Sequence, residues 1–147
     1  MAVPSSDAVA LWWHYEELAM HFNGLIMQFR LQVLGGAGAI GAVAGYLINS
    51  GTIDPKQQER LRAVVAGNLW ILILSAALLD VFYYRQLLEG AVNAIIGLER
   101  QYPEIQISTE IQRTVGHGVD VIWIFYGLLL LTLGAYAGRS WYKSQQG

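Results

Sequence analysis

Residues 31–53, LQVLGGAGAIGAVAGYLINSGTI, form a stretch of 23 residues without a charged side chain. A bilayer core of about 30 Å requires roughly 20 apolar residues in an α-helix, because each residue advances the helix by about 1.5 Å. Two further stretches have the same character: Ala63–Tyr84, in which Asp80 is the only charged residue, and Val121–Gly138, which has none. The sequence therefore predicts an all-α integral membrane protein with three transmembrane helices.

The composition agrees with this class. Of the 147 residues, 54% are hydrophobic and 14% are charged, and there is no cysteine. A chain without thiols has neither a disulfide framework nor a thiolate metal site. No basic leader precedes the first apolar stretch, so we expect no cleavable signal peptide. Phosphate-binding loops and nucleophile motifs are also lacking, so we do not expect an enzyme and predict no cofactor or metal.

Helices are predicted along the whole chain, within one membrane domain of residues 1–147. The first amphipathic segment continues directly into the first transmembrane helix. The later extramembrane segments lie on the same side of the membrane, where they are expected to form a helical stalk with the first. The predicted bounds are 8–30 for the amphipathic helix, 31–49, 63–84 and 119–138 for the transmembrane helices, 85–102 for the stalk helix and 110–118 for a linker helix.

Turn and cap residues set the predicted ends of these helices. The first helix is expected to continue to Ile48, where Asn-Ser-Gly follows. Asp54-Pro55 is typical of a helix start, because aspartate caps the first turn and proline suits the first helical position. Tyr102-Pro103 is typical of a helix end, since the residue before proline avoids helical angles.

Two apolar stripes recur at alternating spacings of four and three residues, which is the pattern of a helix with one buried face. Because both stripes begin at the membrane boundary, we predict an antiparallel helix pair in which Phe29 faces Tyr84. Alternatively, each stripe lies on the lipid surface as an amphipathic helix. The stripes are Leu11, Tyr15, Leu18, Phe22, Leu25 and Phe29 in the first helix, and Tyr84, Leu88, Ala91, Ile95, Leu98 and Tyr102 in the stalk helix.

Titratable residues gather at the stalk end of the transmembrane helices. Asp80 lies one turn inside its apolar stretch, where a carboxylate is costly unless it is paired or faces water. One interpretation is a charged ring at a pore mouth, or a gate held by pairing of Arg30 with Asp80. The other is that Asp80 reaches the membrane surface and only ends the span. The predicted gate residues are Arg30, Asp80, His117 and Asp120.

Small residues recur every four positions in the first transmembrane helix, at Ala37, Gly41 and Gly45. Such stripes let helix backbones approach closely in lipid. They serve either packing within one subunit or contact between subunits. Three helices alone do not enclose a conducting pathway, so a channel requires an oligomer. The tryptophans are interpreted as interfacial anchors: Trp12, Trp13, Trp70, Trp123 and Trp141.

The distribution of charged residues hardly distinguishes the two possible orientations in the membrane. Basic residues flank both sides, and the positive-inside rule leans toward a cytoplasmic C-terminus. The stalk is nevertheless the larger extramembrane part, and we predict it in the cytoplasm of a cell with the protein in its inner membrane. Arg30, Arg85, Arg100 and Arg113 lie on the stalk side, and Lys56, Arg60, Arg62, Arg139 and Lys143 lie on the other.

The segment 80–92, DVFYYRQLLEGAV, together with His21-Phe22-Asn23 before the first transmembrane helix, resembles small bacterial multi-span membrane effectors of nucleotide-signalled antiphage defence, of the Hailong type. That resemblance implies an oligomeric channel that disrupts the membrane potential when a nucleotide or oligonucleotide from a partner nucleotidyltransferase binds. Arginines beside aromatic rings suit such a ligand through phosphate pairing and base stacking. The available set is Arg85, Arg100, Arg113, Tyr83 and Tyr84, with Tyr102 nearby. Alternatively, these arginines form ordinary helical ion pairs, for which Arg85 and Glu89 have the four-residue spacing.

Three functional hypotheses follow from the sequence. The first is a homo-oligomeric channel gated by the ligand just described. The second is a non-conducting scaffold that recruits a soluble partner to the stalk, which would leave an apolar patch exposed on the paired helices. A small transporter subunit is the third, and it is disfavoured because Ser75 is the one polar group expected near mid-membrane.

Overall fold

A computed structural model describes residues 6–51, 53–102, 109 and 118–146, with side chains described for all of these except 118–120. In the described part of the chain every regular element is helical, as predicted. The elements are α1, Ser6–Ile48; α2, Pro55–Leu79; a π-helical segment, Asp80–Tyr84; α3, Arg85–Gln101; and α4, Gly118–Gln146.

Three helical stretches are long and apolar enough to cross a membrane: Ser6–Ile48, Pro55–Gln101 and Val121–Gln146. The apolar side chains of α1 and α4 are largely exposed, and Tyr46 and Leu131 each expose more than 70% of their surface. Contiguous apolar surface of this kind is unfavourable in water and favourable against lipid or another apolar partner. The chain therefore has the architecture of a membrane protein with three candidate transmembrane helices.

The turn after α1 follows the predicted break. The side-chain amide of Asn49 donates to the Gly45 carbonyl and the Ser50 hydroxyl to the Leu47 carbonyl, both at 2.8 Å. These bonds satisfy carbonyl groups that the last turn of a helix leaves unpaired. Gly51 then adopts a φ of 80°, a left-handed conformation that glycine reaches without steric cost.

The second long helical stretch begins at Pro55 and ends at Gln101, as the proline signals predicted. Tyr102 leaves helical geometry with φ −127° and ψ 78°, while its N–H still donates to the carbonyls of Leu98 and Glu99. The π-helical segment was not predicted. Within it the Arg85 N–H donates to the Asp80 carbonyl, five residues earlier, instead of four as in an α-helix.

The chain divides into two compact units. One, here called the paired-helix unit, comprises the described residues of Met1–Phe29 and Leu79–Asp120. The other, here called the three-helix unit, comprises those of Arg30–Leu78 and Val121–Gly147. The first contains the beginning of α1 together with α3, and the second contains the rest of α1 with α2 and most of α4. The linker helix predicted at 110–118 lies outside the described residues, apart from Gly118 at the start of α4.

The predicted antiparallel pairing is present in the paired-helix unit. The rings of Phe29 and Tyr84 contact each other with centroids 5.1 Å apart and planes inclined by 40°, and the other end of the pair joins Trp12 to Glu99. Between them Ala19 and Ile95 are buried, with partly buried Tyr15, Leu88, Ala91 and Leu98 packed around. Long-range apolar contact of this kind is what stabilises an amphipathic helix pair.

The buried face of α1 differs from the prediction. Leu11, Leu18 and Leu25 are exposed, and the adjacent positions Trp12, Ala19 and Ile26 are buried instead. Moving by one position turns the helix face by about 100°. The stripe proposed from spacing alone was therefore wrong at every leucine, although Tyr15, Phe22 and Phe29 lie at its partly buried border.

The three-helix unit has its core at Ile73 and Ala77 of α2 and Tyr126 of α4, and partly buried residues of α1 pack against them. Residues packed against this core come from α1 and α4 as well: Val33, Leu34, Ala37, Ile122, Leu129, Leu130 and Leu133. The indole N–H of Trp70 donates to the Leu130 carbonyl at 3.0 Å. A Cβ added at Gly134 would come within 3.4 Å of that indole nitrogen, so a small residue there leaves room for the tryptophan.

Candidate functional site

Asp80 begins the π-helical segment at the end of α2, and its side chain is 2% exposed. A buried carboxylate requires compensation by hydrogen bonds or opposite charge. π-Helical turns are uncommon and are found often at functional positions, because they shift side chains out of the α-helical register. The combination of a buried acid and a π-turn makes Asp80 the strongest candidate among the predicted gate residues.

The other predicted gate residues are placed less fully. Arg30 is half-buried and opens the three-helix unit, whereas Asp80 belongs to the paired-helix unit. Asp120 lies in the first turn of α4, where the backbone alone is described, and His117 lies outside the described residues. The charged ring and the pairing of Arg30 with Asp80 therefore stay predictions.

The predicted ligand-binding residues around Arg85 form a local cluster. The rings of Tyr83 and Tyr84 meet edge to face with centroids 5.4 Å apart, and Tyr83 is exposed. The Arg85 guanidinium pairs with Glu89, four residues along α3, on the surface of the helix. This is the ordinary helical ion pair that the spacing also allowed, and at an exposed site it contributes roughly 0.3–0.5 kcal/mol.

The second described arginine of the set lies far from the first. Arg100 is exposed in the last turn of α3, fifteen residues after Arg85, which corresponds to about 22 Å along the helix. Arg113 lies outside the described residues. A compact ligand therefore does not reach both described arginines of one chain.

Glu99 is the residue that the sequence analysis missed. It is 1% exposed and accepts hydrogen bonds from the Trp12 indole at 3.2 Å, and from the backbone N–H and hydroxyl of Thr109 at 2.8 and 2.6 Å. Bonds to an ionised acceptor are stronger than neutral ones. Glu99 thereby ties α1, α3 and the residue ten positions further on into one network.

This network corrects the interpretation of Trp12 as an interfacial anchor. Trp12 is buried in the paired-helix unit with its N–H used by Glu99, so it does not stand at a lipid–water boundary. Trp70 likewise uses its N–H inside the three-helix unit. Trp13, Trp123 and Trp141 are exposed, which an anchor requires. Glu99 had no signal in the sequence, because its partner Thr109 lies beyond the helix break at Tyr102.

Two of the three residues in the small-residue stripe, Ala37 and Gly41, lie against other helices of the same chain. Ala37 packs against the core of the three-helix unit, and a Cβ added at Gly41 would lie 3.7 Å from the Leu69 side chain. Gly45 is half-buried with no atom within 4 Å of such a Cβ. These contacts favour packing within one subunit, the first of the two interpretations.

Polar groups of the three-helix unit bond mainly to their own helix. Asn68, Ser75 and Thr132 each donate at 2.8 Å to the backbone carbonyl four residues earlier. Asn68 and Thr132 are further polar residues in the apolar helices, where Ser75 was the one that we expected. Side chains bonded in this way are satisfied within apolar surroundings and offer little to a passing solute.

Along the outer face of α1 lies an open depression of about 490 Å³, lined by Trp13, His14, Glu17 and Met20 among others. Within the described residues, no three histidine or acidic side chains come together as a metal site would require.

The chain matches no protein-family model, no curated protein and no solved structure. The resemblance to the antiphage effectors, predicted from segment 80–92 and from residues 21–23, therefore stays a prediction.

Proposed function

We propose that this chain forms a homo-oligomeric membrane channel that is gated through its extramembrane helices. The observation that carries the proposal is the buried carboxylate of Asp80 at the start of a π-helical turn, where a long apolar helix passes into a polar-faced one. A π-turn contains one extra residue, and a shift of that residue along the helix changes the register of the side chains it passes, which suits switching between two arrangements.

The oligomer follows from the size of the apolar part. Three helices packed around Ile73, Ala77 and Tyr126 fill their own centre with side chains, so ions require a path between subunits. In this proposal Arg30, Asp80, His117 and Asp120 surround the mouth of that path, and the extramembrane helices form a cytoplasmic stalk at the inner membrane.

The proposed ligand is a nucleotide or oligonucleotide made by a partner nucleotidyltransferase, and the proposed role is antiphage defence by loss of the membrane potential. The separation of Arg85 from Arg100 favours an oligonucleotide, or a site shared by two subunits, over a single nucleotide held by one chain. Tyr83 supplies an exposed ring beside Arg85 on which a base can stack.

Conductance of the purified protein in planar bilayers tests the proposal, with and without nucleotides extracted from cells that contain the partner enzyme. We expect ligand-dependent currents, and we expect Asp80→Asn to change their size or their gating. Asp54→Asn is the matched control, because Asp54 is an exposed carboxylate before α2. A wild-type protein that never conducts under either condition contradicts the channel, and so does a strictly monomeric particle in detergent.

Substitution of the exposed arginine tests the ligand. Arg100→Gln removes one charge-assisted contact to phosphate, so we expect affinity to fall about tenfold, which corresponds to about 1.4 kcal/mol. Isothermal titration with the extracted nucleotide pool, separated into single species, measures this. Unchanged affinity in both Arg100→Gln and Arg85→Gln removes α3 from the binding site.

A second candidate function is a non-conducting membrane scaffold that recruits a soluble partner to the paired helices. The exposed leucines of α1 favour it, since an apolar face remains after the pair has formed. A stoichiometric soluble partner in pull-down, together with a monomeric detergent particle, would support this function over the channel.

A further inference from the structure

The part of α1 in the paired-helix unit exposes two apolar stripes, each with a spacing of seven residues. The first comprises Leu11, Leu18 and Leu25, which expose between 36% and 42% of their surface, and is here called the leucine stripe. The second comprises Trp13, Met20 and Met27, which expose between 51% and 68%, and is here called the methionine stripe. Neither stripe is covered by α3.

The two stripes lie on nearly opposite sides of the helix. Each member of the methionine stripe follows a member of the leucine stripe by two residues, a rotation of about 200° in one direction and 160° in the other. The larger arc contains the face that packs on α3. Exposed polar side chains occupy the smaller arc: His14, Glu17, His21 and Gln28.

We propose that the leucine stripe of one copy packs against the methionine stripe of the next, so that copies of α1 form a closed ring. The inference rests on the proposed homo-oligomer and names its interface. A contact between two different faces of the same protein is head-to-tail, and it closes into a ring when the faces are suitably inclined. Because the smaller arc faces the axis, the polar residues line the lumen and α3 forms the outer layer.

The vertical match between the stripes supports a second copy as the occupant. Helices anchored in one membrane with one orientation lie parallel and at the same level. Paired members of the two stripes differ in height along the helix axis by two residues, about 3 Å. Each leucine of one copy therefore meets a tryptophan or methionine of the next. A foreign partner would need one stripe and would leave the opposite one exposed.

Charge also matches across this contact. His14 and His21 border the leucine stripe on the lumen side, whereas Glu17 borders the methionine stripe on the same side. In the ring, the imidazoles of one copy lie near the carboxylate of the next copy. Along the helix axis, Glu17 lies at a height between His14 and His21. Imidazole N–H groups donate to carboxylates, so the contact is favourable on both its apolar and its polar parts.

Lipid is a poorer occupant of these stripes. A helix on a bilayer surface buries one face, and here the polar residues on one side and α3 on the other separate the two apolar stripes. Both stripes therefore cannot enter one lipid surface together.

Cysteine cross-linking of the full chain in native membranes tests the ring, because the chain has no cysteine of its own. A disulfide requires Cα atoms about 5.5 Å apart. Leu18→Cys combined with Met20→Cys is expected to give a ladder of whole multiples of the chain mass on non-reducing gels. Each single variant is expected to remain uncross-linked, since equal positions do not meet in a head-to-tail ring.

Leu18→Cys combined with Asn93→Cys, on the exposed face of α3, is the matched control and is expected to give no ladder. Absence of the ladder in the double variant overturns the ring, and so does a dimer in Leu18→Cys alone. Conductance of the same reduced variants separates this inference from the proposed function. Currents without a ladder refute the ring and leave the channel, whereas a ladder without currents refutes the channel and leaves the ring.

Discussion

The two units of this protein solve the same problem, burial of a helix face, with different chemistry. In the paired-helix unit, Ile95 and Trp12 are buried by α1 and α3, and a carboxylate at Glu99 collects hydrogen bonds from separate segments. In the three-helix unit, Ser75 and Thr132 bond to the backbone of their own helix, Trp70 bonds to the Leu130 carbonyl, and much of the outer surface is apolar. In the proposed arrangement the paired-helix unit stands in water, which drives its apolar contact, and the three-helix unit stands in lipid, where close fit matters more because lipid tails are as apolar as the side chains.

Ile95 and Ile73 test this difference most strongly, because each is 1% exposed in its own unit. Ile95→Ala is expected to lower the free energy of unfolding by about 3 kcal/mol, through lost transfer free energy and a cavity. Ile73→Ala is expected to cost roughly half of that. The side-chain carbons of Ile73 gain little free energy when they move from lipid into the core, so their removal loses little transfer free energy. Titration with SDS in mixed micelles measures both. Equal losses would show that the two units share one environment.

Glu99 is expected to give the next largest effect. Glu99→Ala removes the acceptor for the buried Trp12 indole and for the partly buried donors of Thr109, which costs about 2 kcal/mol. Glu89→Ala, on the exposed face of the same helix, is the control and should change the unfolding free energy by less than about 0.5 kcal/mol. If Glu99→Ala is as mild as its control, the network does not hold the paired helices together.

Trp70 provides the corresponding polar contact in the three-helix unit. Trp70→Phe removes the hydrogen bond to the Leu130 carbonyl and keeps most of the ring, so we expect a loss of about 1 kcal/mol. Trp123→Phe is the matched control, because Trp123 is exposed on α4. The same SDS titration compares the two, and a larger loss for Trp123→Phe would contradict the assignment.

Gly41 is expected to give the smallest effect. Its added Cβ would meet the Leu69 side chain at an ordinary contact distance of 3.7 Å. Gly41→Ala should therefore leave the unfolding free energy within about 0.5 kcal/mol, with a slight gain from the better helix propensity of alanine. A large loss, or a change in the mass of the detergent particle, would instead indicate that another helix backbone approaches at this position.

Local chemistry explains what the sequence predicted correctly. Chain-breaking residues end α1 after Ile48 and the second helical stretch at Gln101, and Pro55 starts α2, because each signal acts on its own backbone. Long uncharged stretches indicated the three candidate membrane helices for the same reason: length and composition decide whether a helix crosses lipid.

The remaining features depend on contacts between distant segments. The heptad pattern of α1 fits two neighbouring faces equally well, and the small side chain at Ala19, beside Ile95, lies on the face that is buried. The π-turn at Asp80 inserts one residue into a helix whose sequence shows no break. Glu99 gains its role from Trp12, 87 positions away, and from Thr109 beyond the end of α3.

The length of α1 has a mechanical consequence. Its 43 residues form one helix of about 64 Å, twice the thickness of a hydrocarbon core, with no proline between Ser6 and Ile48. Within a continuous helix each turn is hydrogen-bonded to the one before it, so a rotation of one turn is passed to its neighbour. The other long helical stretch is continuous only through the π-helical segment Asp80–Tyr84, where the extra residue offsets the side chains before it from those after it.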